Sequence, residues 1–275
     1  MSAWLAKRGG WLWAYAVAYL VFLYAPIFLL PLFAFNDSTV IAFPLQGFTT
    51  EWFKGLTGVP ALTGSVKTSL IIAVTSSVLA TLLGLCAARA GVRYRFPGKG
   101  PILGLIMVPL VLPEIIVGVS LLVVIVSILG APLSSWTVIL GHTLICTPFA
   151  VAILNASYQS LDTSLEEAAI DLGETPASTF RLVTLPLIMP GIVASLLISF
   201  TISLDEFIIA FFLTGAEPTL PVYIWSQLRF PQKLPIIMAL GTILVAASVV
   251  LLTLAEIMRR RGLRRAGAKD TGGFL

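Results

Sequence analysis

The stretch LDTSLEEAAIDLGETPASTFRLVTLPLIMP, Leu161 to Pro190, decides how this chain is organised. It is polar enough to leave a membrane, yet long apolar segments flank it on both sides. Thr163-Ser-Leu-Glu166 has the pattern of a capping box, and Asp162 is a second candidate for the helix start. Leu165, Ala168, Ala169 and Leu172 recur at i, i+3, i+4 and i+7, which places them on one helix face. Gly173 follows, where a helix end favours a left-handed residue. Thr175 and Pro176 restart a helix, since a hydroxyl cap followed by proline suits a first turn. Phe180, Leu182 and Val183 give that second helix its apolar surface, and Leu185-Pro186 returns the chain to the membrane. Helices this short are marginal alone. The loop, 158–186, reads as a docking surface for another protein, with packing on the chain's own inner surface as the alternative.

Outward from the loop, the composition is that of a membrane protein. Of 275 residues 58% are hydrophobic and 11% charged, with a mean hydropathy of +1.00, well above the soluble norm. Apolar blocks long enough to span a bilayer fall at about Trp11–Phe35, Val66–Ala88, Ile102–Leu129, Trp136–Ser157, Leu187–Leu213 and Pro235–Met258. The expected fold class is therefore all-α: one polytopic integral membrane domain over 1–275, with six transmembrane helices. Pro109 and Pro113 should kink the third helix. The segment Gly91 to Pro101 should be a short basic loop, and Glu217 to Leu234 has room for a short interfacial helix.

Orientation follows from the cations. With the N-terminus inside, 13 of the 17 Lys and Arg lie on the inner side, among them Lys7, Arg8, Arg89, Arg93, Arg181, Arg259 and Lys269. Both termini are then cytoplasmic. The net charge of +4 reports this topology and contact with anionic membrane lipids, not nucleic-acid binding. Cys86 and Cys146 lie inside apolar segments and read as small buried hydrophobes, with no metal site implied.

Glu114, His142, Asp205 and Glu206 lie within the apolar blocks. An acid at mid-helix costs about 2.5–3.5 kcal/mol to insert, so such groups ordinarily face a cavity or a partner. At about 1.5 Å per residue, Glu114 falls about 18 Å from the inner face, His142 about 20 Å, and Asp205 and Glu206 about 27–28 Å. Three acids in that zone would attract a cation. The competing readings are carboxylates bonded to helix-end backbone and a histidine bonding between helices.

Glu167-Ala168-Ala169, Gly173 and Val183-Thr184-Leu185-Pro186 also stand in the spacing EAA-x3-G-x9-I-x-LP, with Val183 in place of Ile. This resembles the EAA loop of permease subunits in bacterial ABC importers. The likeness extends through FNDS (Phe35–Ser38), GFTTEWF (Gly47–Phe53), PLVLPE (Pro109–Glu114), the Gly141–Phe149 segment and SLDEFIIAFF (Ser203–Phe212). Together these are similar to the second permease of spermidine/putrescine-type importers. The resemblance implies a type I importer permease of the bacterial inner membrane working by alternating access. Coupling to the ATPase would run through Glu166, Glu167, Ala168, Ala169, Leu172, Gly173, Pro176, Leu185 and Pro186, and the substrate pathway through Glu114, Asp205, Glu206 and His142. Implied partners are a second homologous permease, two ATP-binding subunits and a periplasmic or lipid-anchored solute-binding protein. ATP and Mg would sit on those subunits, since this chain has no GxxxxGK[ST] loop. No cofactor and no catalytic residue is expected here. Polyamine permeases tend to carry an acid and an Asn in the stretch resembling Leu234–Ala239, which is apolar here. A permease for another small solute (an amino-acid-like amine, iron or thiamine) is the alternative, and an ion-coupled secondary transporter or a membrane enzyme are the rivals from other classes.

Overall fold

The computed structural model describes residues 2–56 and 58–265, with the backbone alone for 2–10, 248, 251, 252 and 254–265. The side chains of Lys7, Arg8 and the Arg259–Arg265 cluster, and all of Lys269, used above for orientation, lie outside the described residues. The helices are α1 (Ser2–Ala34), α2 (Glu51–Leu56), α3 (Pro60–Arg93), α4 (Lys99–Met107), α5 (Glu114–Val123) and α6 (Ser135–Gln159). There follow α7 (Thr163–Asp171), α8 (Pro176–Thr179), α9 (Leu185–Asp205), α10 (Ile208–Leu213), α11 (Leu220–Gln227) and α12 (Leu234–Arg265). No strand forms among the described residues; one isolated bridge joins Asn36 and Phe48. An all-helical body is what lipid demands, because every backbone polar group in a spanning segment must be bonded within the chain.

Each expected span has a helical counterpart. Trp11–Ala34, Pro60–Arg93, Ser135–Gln159 and Pro176–Asp205 are long and apolar enough to cross a membrane. The sixth counterpart, α12, runs for 32 residues. The third and fifth spans depart from expectation. Ile102–Leu129 is not one kinked helix: Lys99–Leu110 and Glu114–Ile128 meet at 103°. Leu112 precedes a proline, which disfavours helical geometry there, and Pro113 itself is extended at ψ 130°. Depth along a straight third helix therefore does not apply to Glu114. The fifth span ends at Asp205, Glu206 turns extended at ψ 123°, and α10 begins after Phe207.

The loop differs too. Its second helix is not separate; α8 passes through a π-helical turn, Phe180–Thr184, straight into α9. Pro186 has no N–H to give the carbonyl four residues back, and the wider register absorbs this, with Leu185 N donating to Phe180 O. The basic segment is also shorter than expected, because α3 continues to Arg93 and α4 begins at Lys99. The interfacial helix in the far loop is α11.

The described contacts divide the chain into two compact units, 1–60 with 226–275, and 61–225. In the first, α12 packs on α1 and on α2. Its turn region is tied by Trp52 Nε1 donating to Asn36 O at 2.9 Å. The second holds the loop and all four intramembrane titratable residues. Its centre is the α6–α9 pair. Ser195, Ser199 and Ser203 on α9, spaced by four, are all buried. Such small residues let membrane helices approach closely. Ser195 Oγ pairs with Thr81 Oγ1 of α3 at 3.0 Å, Cys146 Sγ donates to Ser199 O at 3.5 Å, and Ser76 Oγ of α3 donates to Ile139 O at 3.2 Å.

Candidate functional site

The loop helix α7 starts at Asp162, whose carboxylate accepts from Ser164 N at 3.0 Å. Asp162 is thus the cap, and the expected Thr163–Glu166 capping box does not form. The bond to Ser164 holds the Asp162 carboxyl below its usual range. At the other end Gly173 N donates to Ile170 O and Glu174 N to Ala169 O, at 2.9 and 3.1 Å. Those two bonds make a Schellman turn, which needs a left-handed residue, and Gly173 supplies it at φ +92°. A Cβ there meets nothing within 4 Å, so the requirement is conformational, not steric. Thr175 caps the following helix, its Oγ1 accepting from Ser178 N at 3.2 Å.

Of the expected apolar face, Ala169 is buried while Leu165, Ala168 and Leu172 are exposed, Leu172 at 87%. Leu182 is exposed as well, as are Glu167, Pro176 and Pro186; Leu185 is half-buried. The loop therefore presents apolar side chains that this chain does not cover. Glu166 faces the other way: its Oε2 lies 2.7 Å from Arg93 Nε, and Thr184 Oγ1 donates to its Oε1 at 2.6 Å.

The four intramembrane titratable residues separate into two groups. Glu206 and His142 are buried, at 7% and 0% exposure. The Glu206 carboxylate accepts from Ile209 N at 3.0 Å and Ala210 N at 3.1 Å, satisfying donors left open at the start of α10. His142 Nε2 is 3.4 Å from Glu206 Oε2, and its Nδ1 is 2.7 Å from Ser203 Oγ. Glu206 therefore holds the broken fifth span together, with His142 tying it to α6.

Asp205 and Glu114 are exposed, each at a helix break. Glu114 opens α5 and lies in its first turn, where the helix dipole favours an acid. Asp205 ends α9, where the dipole disfavours one. The two outer half-helices touch, since a Cβ on Gly118 would lie 2.8 Å from Phe212 Cδ2. Measured back from that contact, Glu114 is four residues or about 6 Å away along α5, and Glu206 lies just ahead of the start of α10.

Beyond the fifth-span break stands an aromatic group that the sequence did not single out as a unit. Phe207 is 5.5 Å from Trp225 and 5.6 Å from Phe211, which meets Phe212 edge-on at 5.4 Å. Phe207 and Phe211 are spaced for one helix face, a signal available in advance; Trp225 is brought in by α11 from the following loop. Among the described residues no three His, Cys, Asp or Glu side chains are grouped to hold a metal ion.

A multi-pass helical body with one span bent at 103°, another ended at a capped break, and an ordered, uncovered loop is the build of a transport permease. The chain belongs to the family of binding-protein-dependent transport system inner membrane components, which matches residues 80–265. It is 37% identical over 259 residues to the putrescine transport system permease protein PotI of Escherichia coli K12, covering 89% of this chain and 92% of that one. It is 35% identical over 254 residues to the spermidine/putrescine permease PotC of the same organism, covering 92% and 94%. A crystal structure of a bacterial alginate ABC transporter with a pentasaccharide-bound periplasmic protein shares the fold at TM-score 0.69 and 21% identity, over 92% of this chain and 96% of that one. The chain is thus a multi-pass inner-membrane transporter component.

Proposed function

We propose that this chain is the permease subunit of an ATP-driven importer that carries polyamine-like cations, putrescine or spermidine, by alternating access. The observation that carries the cargo class is Asp205. An exposed acid at the C-terminal end of α9 adds its charge to the negative end of a helix dipole. That arrangement is unfavourable alone and favourable once a cation arrives. Glu114 supplies a second exposed acid at the neighbouring break. The aromatic faces of Phe207 and Trp225 suit an alkylammonium by cation–π contact. Glu206 and His142 serve the same pathway from behind, by fixing the break.

The loop side is cytoplasmic in this reading, as are both termini. Leu165, Ala168, Leu172, Glu167 and Pro176 face an ATP-binding subunit, while Ala169, Gly173, Leu185 and Pro186 shape the turn and the re-entry. ATP and Mg belong to two such ATPase subunits; a second, related permease and an extracytoplasmic binding protein complete the assembly. The complete complex in proteoliposomes should take up radiolabelled putrescine only with ATP, and Asp205→Asn should raise KM for putrescine roughly tenfold. ATP-independent uptake, or an unchanged KM in that variant, overturns the reading.

A further inference from the structure

Several threonine hydroxyls in these spans bond back to the carbonyl four residues earlier. Thr75, Thr147, Thr201 and Thr242 do so, to Ile71, Thr143, Leu197 and Met238 at 2.6–2.9 Å. Thr184 does not. It is buried at the end of the π-helical turn, and its hydroxyl leaves its own helix to reach Glu166 on α7 at 2.6 Å. That is the length of a hydroxyl–carboxylate bond, stronger than one between neutral groups. The other carboxylate oxygen faces Arg93, in the last turn of α3. Arg93 also donates to Leu161 O, just ahead of the α7 cap, at 3.4 Å. One turn earlier on α3, Arg89 lies 4.3 Å over the ring of Phe180, which opens the π turn. The end of α3, the loop helix and the foot of the fifth span therefore share one side-chain cluster.

The covalent path from α7 to α9 is weak by comparison. It runs through Gly173 at φ +92° and two exposed residues, Glu174 and Thr175. A chain turn of this kind bends when one end is pushed. The π turn is also a place where helix pairing can change register by one residue.

We propose that Glu166 is a positioning residue. Its carboxylate, shared between Arg93 and Thr184, clamps α7 to the foot of the fifth span, so that displacement of α7 arrives at the π turn instead of being lost in the Gly173 turn. The role rests on the reading that α7 receives the ATPase subunit. It differs from that reading in where Glu166 acts: on its own chain, not on the partner.

Thr184 gives the cleanest test, because Val keeps its shape without the hydroxyl and Ser keeps the hydroxyl. The complete complex, with both permeases and ATPase subunits in proteoliposomes, is assayed for ATP hydrolysis and putrescine uptake. Thr184→Val and Glu166→Gln should keep co-purification and ATP hydrolysis while uptake per ATP falls roughly tenfold, within the span usual for coupling between sites. Thr184→Ser should behave as wild type. Spin labels at Asp171→Cys and Met189→Cys, both exposed sites, on a Cys86→Ala background report the clamp directly; Cys146 is buried from the label. Their separation should stay fixed on ATP binding in the wild type and shift or broaden in Thr184→Val. Unchanged uptake per ATP in both variants overturns the proposal, as does a Thr184→Ser loss equal to that of Val. Parallel loss of co-purification and hydrolysis also overturns it, since Glu166 would then serve docking. A wild-type complex without ATP-driven putrescine uptake sinks the transport reading instead, and the label distances still decide the clamp.

Discussion

The adjacent acids Asp205 and Glu206 should respond to neutralisation in opposite ways. Glu206 is 7% exposed and accepts two backbone N–H bonds at 3.0 and 3.1 Å. In Glu206→Gln one oxygen still accepts, but the other position becomes an NH2 facing a donor. A hydrogen bond to a charged group contributes about 1.5–3 kcal/mol, and a stranded buried donor loses a similar amount. The expected loss is therefore about 2 kcal/mol for Gln, and about twice that for Ala, which strands both donors. At roughly 2–4 °C per kcal/mol, the thermal midpoint of the purified complex should fall by about 4–8 °C in Glu206→Gln. Asp205 is exposed, so Asp205→Asn should cost under about 0.5 kcal/mol and leave the midpoint in place. Its effect falls on the cation: an ammonium about 4 Å from a carboxylate at an effective dielectric near 20 gains about 4 kcal/mol before desolvation. A net of about 1.4 kcal/mol is tenfold in affinity. Thermal melts and putrescine KM on both variants check the assignment. A stable Glu206→Gln with a raised KM, beside a destabilised Asp205→Asn with an unchanged KM, would refute it.

Three further outcomes follow from the loop and the aromatic group. Gly173→Val should insert normally and lose uptake, because an L side chain in the left-handed region costs about 1–2 kcal/mol, and a β-branched one more; Gly173→Asn should retain most uptake. Asp162 has its carboxyl held below the ordinary range by Ser164, so its capping contribution is complete above the unfolded value of about 3.9 and is lost as pH falls through the lower folded value. A spin label on α7 should gain mobility in that acid window in the wild type, and Asp162→Asn, an uncharged cap, should remove the step. Trp225→Ala should raise KM for putrescine several-fold with Trp225→Phe close to wild type, as a π face near Phe207 requires; equal effects of both would assign Trp225 to packing.

The loop was legible because its signals are local. A cap, a left-handed glycine and a proline at a first turn act within four residues, and Asp162, Gly173 and Pro176 sit where those rules put them. Spacing placed Leu165, Ala168, Ala169 and Leu172 on one face but left open whether the chain covers it; Ala169 is buried and the other three are exposed. The third span was half legible: Pro109 and Pro113 announce a discontinuity, but whether it becomes a kink or a 103° bend depends on what packs beyond it. The fifth-span break carries neither Gly nor Pro in Ser203–Phe207. Its only local trace is an acid preceding a short apolar run, the pattern of a helix cap, and an isolated acid in an apolar block reads just as well as a pathway group. Burial separates the two cases, and burial is set by His142, sixty-four residues earlier in the chain. The partners of Glu166 were hidden for the same reason, since Arg93 and Thr184 are distant in sequence.

The positions of the breaks bear on how a push at the loop could reach the cargo. From Pro176 to Asp205 the chain is helical for 30 residues, with Pro190 inside α9 between Thr184 and Asp205, so a displacement at Thr184 passes a missing backbone bond on its way to Asp205. Beyond Glu206 the helix stops. The following helix, α10, packs against α5 and α6, with Phe212 closed on Gly118, and α9 shares α6 as its partner. Asp205 is therefore the exposed last residue of α9 and Glu206 the buried cap of α10. A rotation of one residue at the π turn corresponds to about 1.5 Å of rise. A shift of that size changes which groups Asp205 can face while leaving the Glu206 cap on α10 intact. Two adjacent acids thus have unlike surroundings: Glu206 is bonded to the start of α10, and Asp205 is exposed at the end of α9.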